Sequence, residues 1–156
     1  MVALNVRKMC LTLGLLGALA AIADNGASSV DTYDWRAAES RMNGDLCDTQ
    51  DKDFDGFRYK ESIPHCRRNV SLELKRFIAN GFGIYDNYQG YEIDHYIPLS
   101  IGGSNEPENL WPLPVPVARA KCSLEGKVHE EVKEGKLTQE QAIERIRNWK
   151  SFIDLK

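Results

Sequence analysis

The feature that most constrains the fold is a run of strand and helix signals in the middle of the chain. Tyr91–Leu99 alternates β-branched and aromatic residues with polar ones, which predicts a strand. A turn-rich connection over 101–108 leads to a second, short strand at 110–111. Val117–Glu134 carries apolar residues at helical spacing and is followed by Gly135, which is typical of a helix end. The segment therefore predicts a β-hairpin followed by a helix.

Helices are predicted on both sides of this unit. A short helix is predicted within 31–42 and a second within 69–80, while the Asp- and Gly-rich residues 43–62 are predicted to form a loop. Thr138 and Gln141 have the spacing of a capping box, which indicates the start of a last helix. The predicted fold class is α+β, with a hairpin–helix core and flanking helices.

The first 23 residues resemble a secretory signal peptide. Arg7 and Lys8 precede an apolar run over 11–22, and small residues at 21 and 23 suit a signal peptidase. An N-terminal anchor or a buried helix is the alternative. We therefore predict a signal peptide at 1–23, a flexible leader at 24–45 and one domain at 46–156. The mature protein is expected to be secreted or periplasmic and to have no membrane segment.

Charge and cysteine content narrow the function classes. The net charge is −3. Removal of the signal peptide leaves 18 basic residues (20 less Arg7 and Lys8) against 23 acidic ones, a net charge of −5. This excludes a nucleic-acid binder that relies on overall positive charge.

Export permits disulfides, and Cys47 and Cys66 flank one loop, so we predict that pair and a Cys122 without a disulfide partner. Three free or metal-bound thiols are the alternative.

The strongest motif is the sequence YEIDHYIPLSIGGSNEPENLWP, which starts at Tyr91. It places Asp94-His95 near a strand end, a Gly-Gly pair in the turn and Asn109 before the second strand. This combination resembles the HNH, or His-Me finger (ββα-metal), endonucleases. The similarity is close over 94–112 and looser over 66–149. It implies a ββα-metal core and metal-dependent hydrolysis of phosphodiester bonds in DNA, with RNA as an alternative and weak sequence preference.

The resemblance assigns roles to the motif residues. His95 would be the general base, for which an ordinary pKa of about 6.5 is well suited. Asp94 would hold a divalent ion, and Asn109 would brace the hairpin and orient His95, with Asn105 as an alternative. Because neighbouring side chains of a strand point to opposite faces, Asp94 and His95 converge on one phosphate only if the chain bends there or if the phosphate lies over the strand end.

The helix of this motif departs from the classical pattern. No metal-ligand type occurs over 117–119, where classical members have His or Asn. The subgroup that the chain resembles carries an Ala-Arg-x-Lys, Leu-Glu and His pattern instead. Glu125 and His129 are then the predicted metal ligands beside Asp94, and Arg119 and Lys121 the predicted substrate contacts. A solvated helix face with an internal Lys–Glu pair is the alternative.

A second set of substrate contacts is predicted in a locally basic stretch over 58–76. Arg67 and Arg68 are its central members. The stretch also contains Arg58, Lys60, His65, Lys75 and Arg76. Such a patch can guide a polyanion to a protein of acidic overall charge. An ordinary charged face is the alternative.

The expected cofactor is one divalent metal ion, namely Mg²⁺, with Zn²⁺, Ni²⁺ or Mn²⁺ as alternatives because imidazole ligands suit them. Two other metal sites are weaker: a calcium loop at Asp51, Asp53 and Asp55, and a zinc site that includes His65 and Cys66. The expected partner is nucleic acid. The alternative functions are a non-catalytic nucleic-acid-binding module and a calcium-stabilised exported domain.

Overall fold

The structure is a computed structural model that describes residues 33–85 and 88–152. It has an α+β fold, as predicted, with two separate two-stranded antiparallel sheets in the described part. In chain order the elements are α1 Trp35–Glu39, β1 Phe54–Arg58, β2 Ile63–Cys66, α2 Leu72–Gly81, β3 Tyr91–His95, β4 Leu110–Pro114, α3 Val115–Lys133 and α4 Gln139–Arg147. The predicted signal peptide lies outside the described residues.

The predicted hairpin and helix are present as β3, β4 and α3. The strands pair in register from Tyr91 with Pro114 to His95 with Leu110. Pro112 and Pro114 are tolerated in β4 because β3 is its one partner among the described strands, so their missing N–H groups can face the other edge. Because side chains alternate along a strand, Tyr91, Ile93 and His95 share one face of this hairpin.

The main core lies where the hairpin, α3 and α4 meet. Its largest side chains are Trp111 and Trp149, both fully buried, and the ring of Trp35 contacts each of them. Trp35 belongs to α1, within the segment assigned to a flexible leader. Residues 33–45 therefore differ from the predicted flexible leader, because the large apolar side chain of Trp35 packs in the core and is not exposed to water.

The first hairpin, β1–β2, falls largely within the predicted loop 43–62. The loop prediction is wrong for Phe54–Arg58, which pairs with Ile63–Cys66 across an irregular register. Tyr59 and Ser62 close the hairpin with positive φ values of 63° and 58°. Such a turn, in residues other than glycine, gives no strong sequence signal.

The cysteines partly follow the prediction. The Cys47–Cys66 disulfide is confirmed and ties the segment before β1 to the end of β2. No cysteine among the described residues is free, so the prediction that Cys122 lacks a partner is wrong.

Helix ends follow the sequence closely. Thr138 and Gln141 form the predicted capping box at α4, and Ser71 caps α2 by accepting from Leu74 N. No helix among the described residues combines the length and apolar character needed to cross a membrane.

We predict that the double variant Cys47→Ser/Cys66→Ser has a free energy of unfolding lower by about 3 kcal/mol. The disulfide joins residues 19 apart, and opening that loop raises the entropy of the unfolded chain. Urea unfolding followed by circular dichroism measures the difference. Gln50→Ala, at an exposed residue in the same loop, is the control and should change little. A double variant as stable as the wild type contradicts the prediction.

Candidate functional site

Lys121 of α3 lies at the centre of the predicted site and is completely buried. Its Nζ donates to Asp94 Oδ2 at 2.9 Å and to the His95 carbonyl oxygen at 2.8 Å, and it also contacts Glu125 Oε1. An ammonium has three N–H donors, so these acceptors use all of them. The structure therefore places Lys121 differently from the prediction, as an internal link between β3 and α3 and not as a contact for substrate phosphate.

The electrostatics of Lys121 favour its charged form. Burial by itself would lower the pKa of this amine, but the carboxylates of Asp94 and Glu125 raise the pKa above its ordinary value. The side chains of Asp94 and Glu125 are each 20% exposed, so both lie at the boundary between core and solvent. One buried positive charge and two half-buried negative charges give this cluster a net negative charge. Its carboxylates are the groups that reach the solvent.

His95, at the end of β3, is 2% exposed. Burial, aided by the positive charge of Arg68, lowers its pKa to about 4, below the ordinary value of about 6.5 that was expected for a general base. The imidazole is therefore neutral at neutral pH. Its Nε2 lies 3.1 Å from Asn105 Oδ1, while its Nδ1 is buried with no hydrogen-bond partner among the described residues.

The tautomer of His95 follows from the orientation of Asn105. The Asn105 Nδ2 donates to the Arg67 carbonyl oxygen at 2.7 Å and to Asp53 Oδ2 at 3.1 Å, both of which can only accept. Asn105 Oδ1 is then the acceptor that faces the ring, so Nε2 carries the proton and Nδ1 carries the lone pair. Asn69 fixes the other oxygen of Asp53 by donating to it at 2.7 Å.

Sequence reasoning missed the role of Asp53 and gave Asn105 only as an alternative. Asp53 lies 42 positions before His95 in the chain, and nothing local links the two. Its isolated signal was a run of aspartates, which is usual for an exposed turn. Its burial to 8% exposure is what distinguishes it.

Asn109 contacts the connection between β3 and β4, whereas the His95 ring that it was predicted to orient is hydrogen-bonded to Asn105. Its Oδ1 accepts from Ile97 N at 2.8 Å, and its Nδ2 donates to the carbonyl oxygens of Ile97 and Ser104, both at 2.9 Å. Gly103 approaches the same place so closely that a Cβ there would lie 1.9 Å from the Ile97 carbonyl oxygen. The Gly-Gly and Asn positions of the motif thus shape the connection from β3 to β4.

Asp94 and His95 occupy consecutive positions of a regular strand. Asp94 pairs with Trp111, which belongs to the main core, whereas His95 pairs with Leu110, which belongs to the smaller core beneath α2. Their side chains accordingly point to opposite faces. The chain does not bend between them, so one phosphate can contact both only over the end of the strand.

The other predicted residues are divided between site and surface. Arg67 and Arg68 follow β2 with exposed side chains, and Arg68 is near enough to His95 to influence its pKa. Arg119 is exposed on α3. His129 does not join Asp94 and Glu125, since its ring contacts Tyr59 at 5.9 Å and its Nδ1 lies 3.9 Å from Glu130.

The predicted metal ligands fit a divalent ion in part. The carboxylates of Asp94 and Glu125 converge on one point and are of the type that Mg²⁺ prefers. His129 does not supply the third ligand, and Lys121 Nζ contacts one oxygen of each carboxylate. Asp94 and Glu125 are therefore the predicted metal ligands that lie together, whereas His129 lies apart from them.

The weaker metal sites are not formed. Asp53 accepts from Asn69 and Asn105, and Asp55 pairs with Arg58 at 2.9 Å, so the aspartates face different partners and build no calcium cage. Cys47, Asp51 and Cys66 are the one acidic, Cys or His cluster with metal-like spacing in the described residues. Since both sulfurs belong to the disulfide, neither this cluster nor the predicted zinc site can use Cys66 as a thiolate.

No protein-family model, no curated protein and no solved structure matches this chain. The resemblance to HNH endonucleases therefore stays a prediction.

We predict that Lys121→Met lowers the free energy of unfolding by about 3 kcal/mol or more, because it leaves two partly buried carboxylates without their cation. Urea unfolding at neutral pH measures the effect. Lys127→Met, at an exposed lysine of the same helix, is the matched control and should change little. Equal stabilities for the two variants contradict the structural role of Lys121.

We predict a loss of stability in mild acid that depends on His95. The folded pKa of about 4 lies below the unfolded value of about 6.5, so the unfolded state takes up the proton first. The stability is fully present above about pH 6.5 and falls by about 3 kcal/mol as the pH approaches 4.

Urea unfolding at several pH values, with the wild type compared with His95→Gln, isolates this contribution. The His95→Gln variant should have a flatter pH dependence. His129→Gln removes a partly exposed imidazole and should keep the wild-type profile. A wild-type profile in His95→Gln is the contradictory result.

Proposed function

We propose that this protein is an exported, metal-dependent endonuclease that hydrolyses phosphodiester bonds of DNA, with RNA as the alternative substrate. The observation that carries the proposal is the state of His95. The ring is neutral at neutral pH, is held through Nε2, and keeps an Nδ1 without a partner among the described residues, at the strand position next to Asp94.

The general base would be Nδ1 of His95. Hydrolysis requires a water to lose a proton as it attacks phosphorus, and a neutral imidazole nitrogen with a free lone pair can accept that proton. Asn105 and Asp53 act as positioning residues in this scheme. They fix the donor at Nε2, so the lone pair remains at the nitrogen that has no partner among the described residues.

Positive charge for the substrate phosphates would come from Arg67 and Arg68, with Arg119 on the helix side. Both arginines of the pair are exposed, and the Arg67 carbonyl oxygen is hydrogen-bonded to Asn105, so the pair is attached to the network that holds His95. Contacts of this kind bind the sugar–phosphate backbone and carry little sequence information.

Asp94 and Glu125 would hold the divalent ion. When bound, such an ion stabilises negative charge on the phosphate and on the leaving oxygen. Lys121 contacts both carboxylates, so it would keep them at one place while the chain is free of substrate. Because the His95 ring is 2% exposed, substrate can reach Nδ1 only if a neighbouring group moves aside.

Export is supported by two features of different kinds. The first 23 residues have the charge and apolar pattern of a signal peptide, and the Cys47–Cys66 disulfide suits an oxidising compartment.

One observation favours a second function, a nucleic-acid-binding module without catalysis. A histidine that is almost completely buried and tied into a hydrogen-bond network is also the pattern of a structural residue. In that case Arg67 and Arg68 would bind nucleic acid and no bond would be cleaved.

We predict that the wild type nicks plasmid DNA in Mg²⁺ and that His95→Gln loses activity by about 100-fold or more, the usual contribution of a general base. Glutamine can donate to Asn105 Oδ1 as the histidine does, but its amide cannot accept a proton from water. Agarose gels of supercoiled plasmid measure nicking, and EDTA should stop it.

His129→Gln is the matched control, since His129 lies outside the cluster, and it should retain wild-type nicking. Nicking by His95→Gln at the wild-type rate contradicts the assignment of the base. Retention of plasmid in a gel shift, without nicking by the wild type in any divalent ion, favours the binding module.

A further inference from the structure

The surface between α2 and the start of β3 contains a cavity of about 490 Å³ that the catalytic proposal does not use. Tyrosines dominate its lining, and Arg76 is the one charged side chain among the described lining residues. The lining residues are Leu72, Arg76, Asn80, Tyr85, Tyr88, Gln89 and Tyr91. The volume lies within the usual range of small-molecule sites.

We propose that this cavity binds a nucleotide of a single-stranded nucleic acid, with the base stacked on tyrosine and the phosphate held by Arg76. The inference deepens the proposed function and rests on it for the identity of the polymer.

The lining residues suit the face of a base, the edge of a base and the phosphate of a nucleotide. Tyrosine rings stack on bases of any sequence because every base has a π-face. Asn80 and Gln89 carry amides, whose donors and acceptors match base edges. The Arg76 guanidinium matches the geometry of a phosphate.

One tyrosine of the lining is accessible for stacking. Tyr85 is 74% exposed, whereas Tyr88 and Tyr91 are partly buried. Leu72, at the first turn of α2, is 55% exposed. Both residues line the cavity.

Strand β3 connects this cavity to the site. Tyr91 lines the cavity at one end of the strand, and His95 lies four residues later on the same face. At about 3.3 Å per residue, the separation is about 13 Å, the length of roughly four stacked nucleotides.

One stripe of α2 lines the cavity and carries Arg76. Leu72, Arg76 and Asn80 are spaced by four, so they form one stripe of the helix that faces the cavity. Arg68, whose charge reaches His95, is four residues before Leu72 in the chain. Two exposed arginines, Arg76 at the cavity and Arg68 near His95, therefore provide positive charge for the phosphates of one strand.

The test is the affinity of the full chain for a short, labelled oligothymidylate in EDTA, measured by fluorescence anisotropy. Tyr85→Ala and Arg76→Ala should each weaken binding by about 10-fold, the usual effect of losing a stacked base or a phosphate contact. Tyr85→Phe keeps the ring and should bind as the wild type does.

Two matched controls lie on the same helix. Phe77 is 65% exposed but does not line the cavity, so Phe77→Ala should leave the affinity unchanged. Lys75→Ala removes one positive charge next to Arg76 in sequence and should weaken binding clearly less than Arg76→Ala.

An abasic oligonucleotide of equal length should bind about 10-fold more weakly than oligothymidylate, because stacking is lost. Equal binding of the abasic and thymidine strands overturns the proposal, as does unchanged affinity in Tyr85→Ala. A neutral glucose oligosaccharide that displaces the oligothymidylate with equal affinity also overturns it, since the cavity would then be a sugar site.

These results separate the two proposals. If Tyr85→Ala weakens binding while the wild type nicks no plasmid, the nucleotide site stands and the nuclease fails. If nicking depends on His95 while Tyr85→Ala binds normally, the nuclease stands and the nucleotide site fails.

Discussion

The arrangement of the candidate site depends on one buried ammonium group. Lys121 joins α3 to the end of β3 through the Asp94 carboxylate and the His95 carbonyl oxygen. Removing two carboxylates and a cation from water is unfavourable unless each finds a partner, and here all of the ammonium donors are used. The same contacts fix the position of the strand on the helix. The stability of the hairpin–helix unit and the geometry around Asp94 therefore have a common cause.

A second network ties the two hairpins together on the opposite face. Asp53 precedes β1 and Asn105 lies between β3 and β4, yet a direct hydrogen bond joins their side chains. The Cys47–Cys66 disulfide holds the same region of the first hairpin in place. The orientation of the His95 ring thus depends on residues from both hairpins, so a change in the first hairpin can alter the site without touching it.

Local signals predicted the elements, whereas long-range contacts decided the site. The capping box at Thr138 and the alternation of 91–95 depend on nearby residues, and both were readable. The β1–β2 hairpin was missed because its strands are short and its turn uses Tyr59 and Ser62 in place of glycine. The burial of Lys121 had a signal: it continues the apolar stripe of Leu124 and Val128 at helical spacing. Its carboxylate partners could not be identified without the fold.

The proposed catalytic role of His95 depends on the ring nitrogen that has no partner among the described residues. Both kinds are neutral when buried, so the lowered pKa favours neither. A structural histidine usually satisfies both ring nitrogens, because a buried polar atom without a partner destabilises the fold by about 1–3 kcal/mol. Here Asn105 satisfies Nε2 and leaves the lone pair at Nδ1. In the proposed nuclease this lone pair is the group that would accept the proton from water, and that use would account for the unfavourable energy that the fold retains.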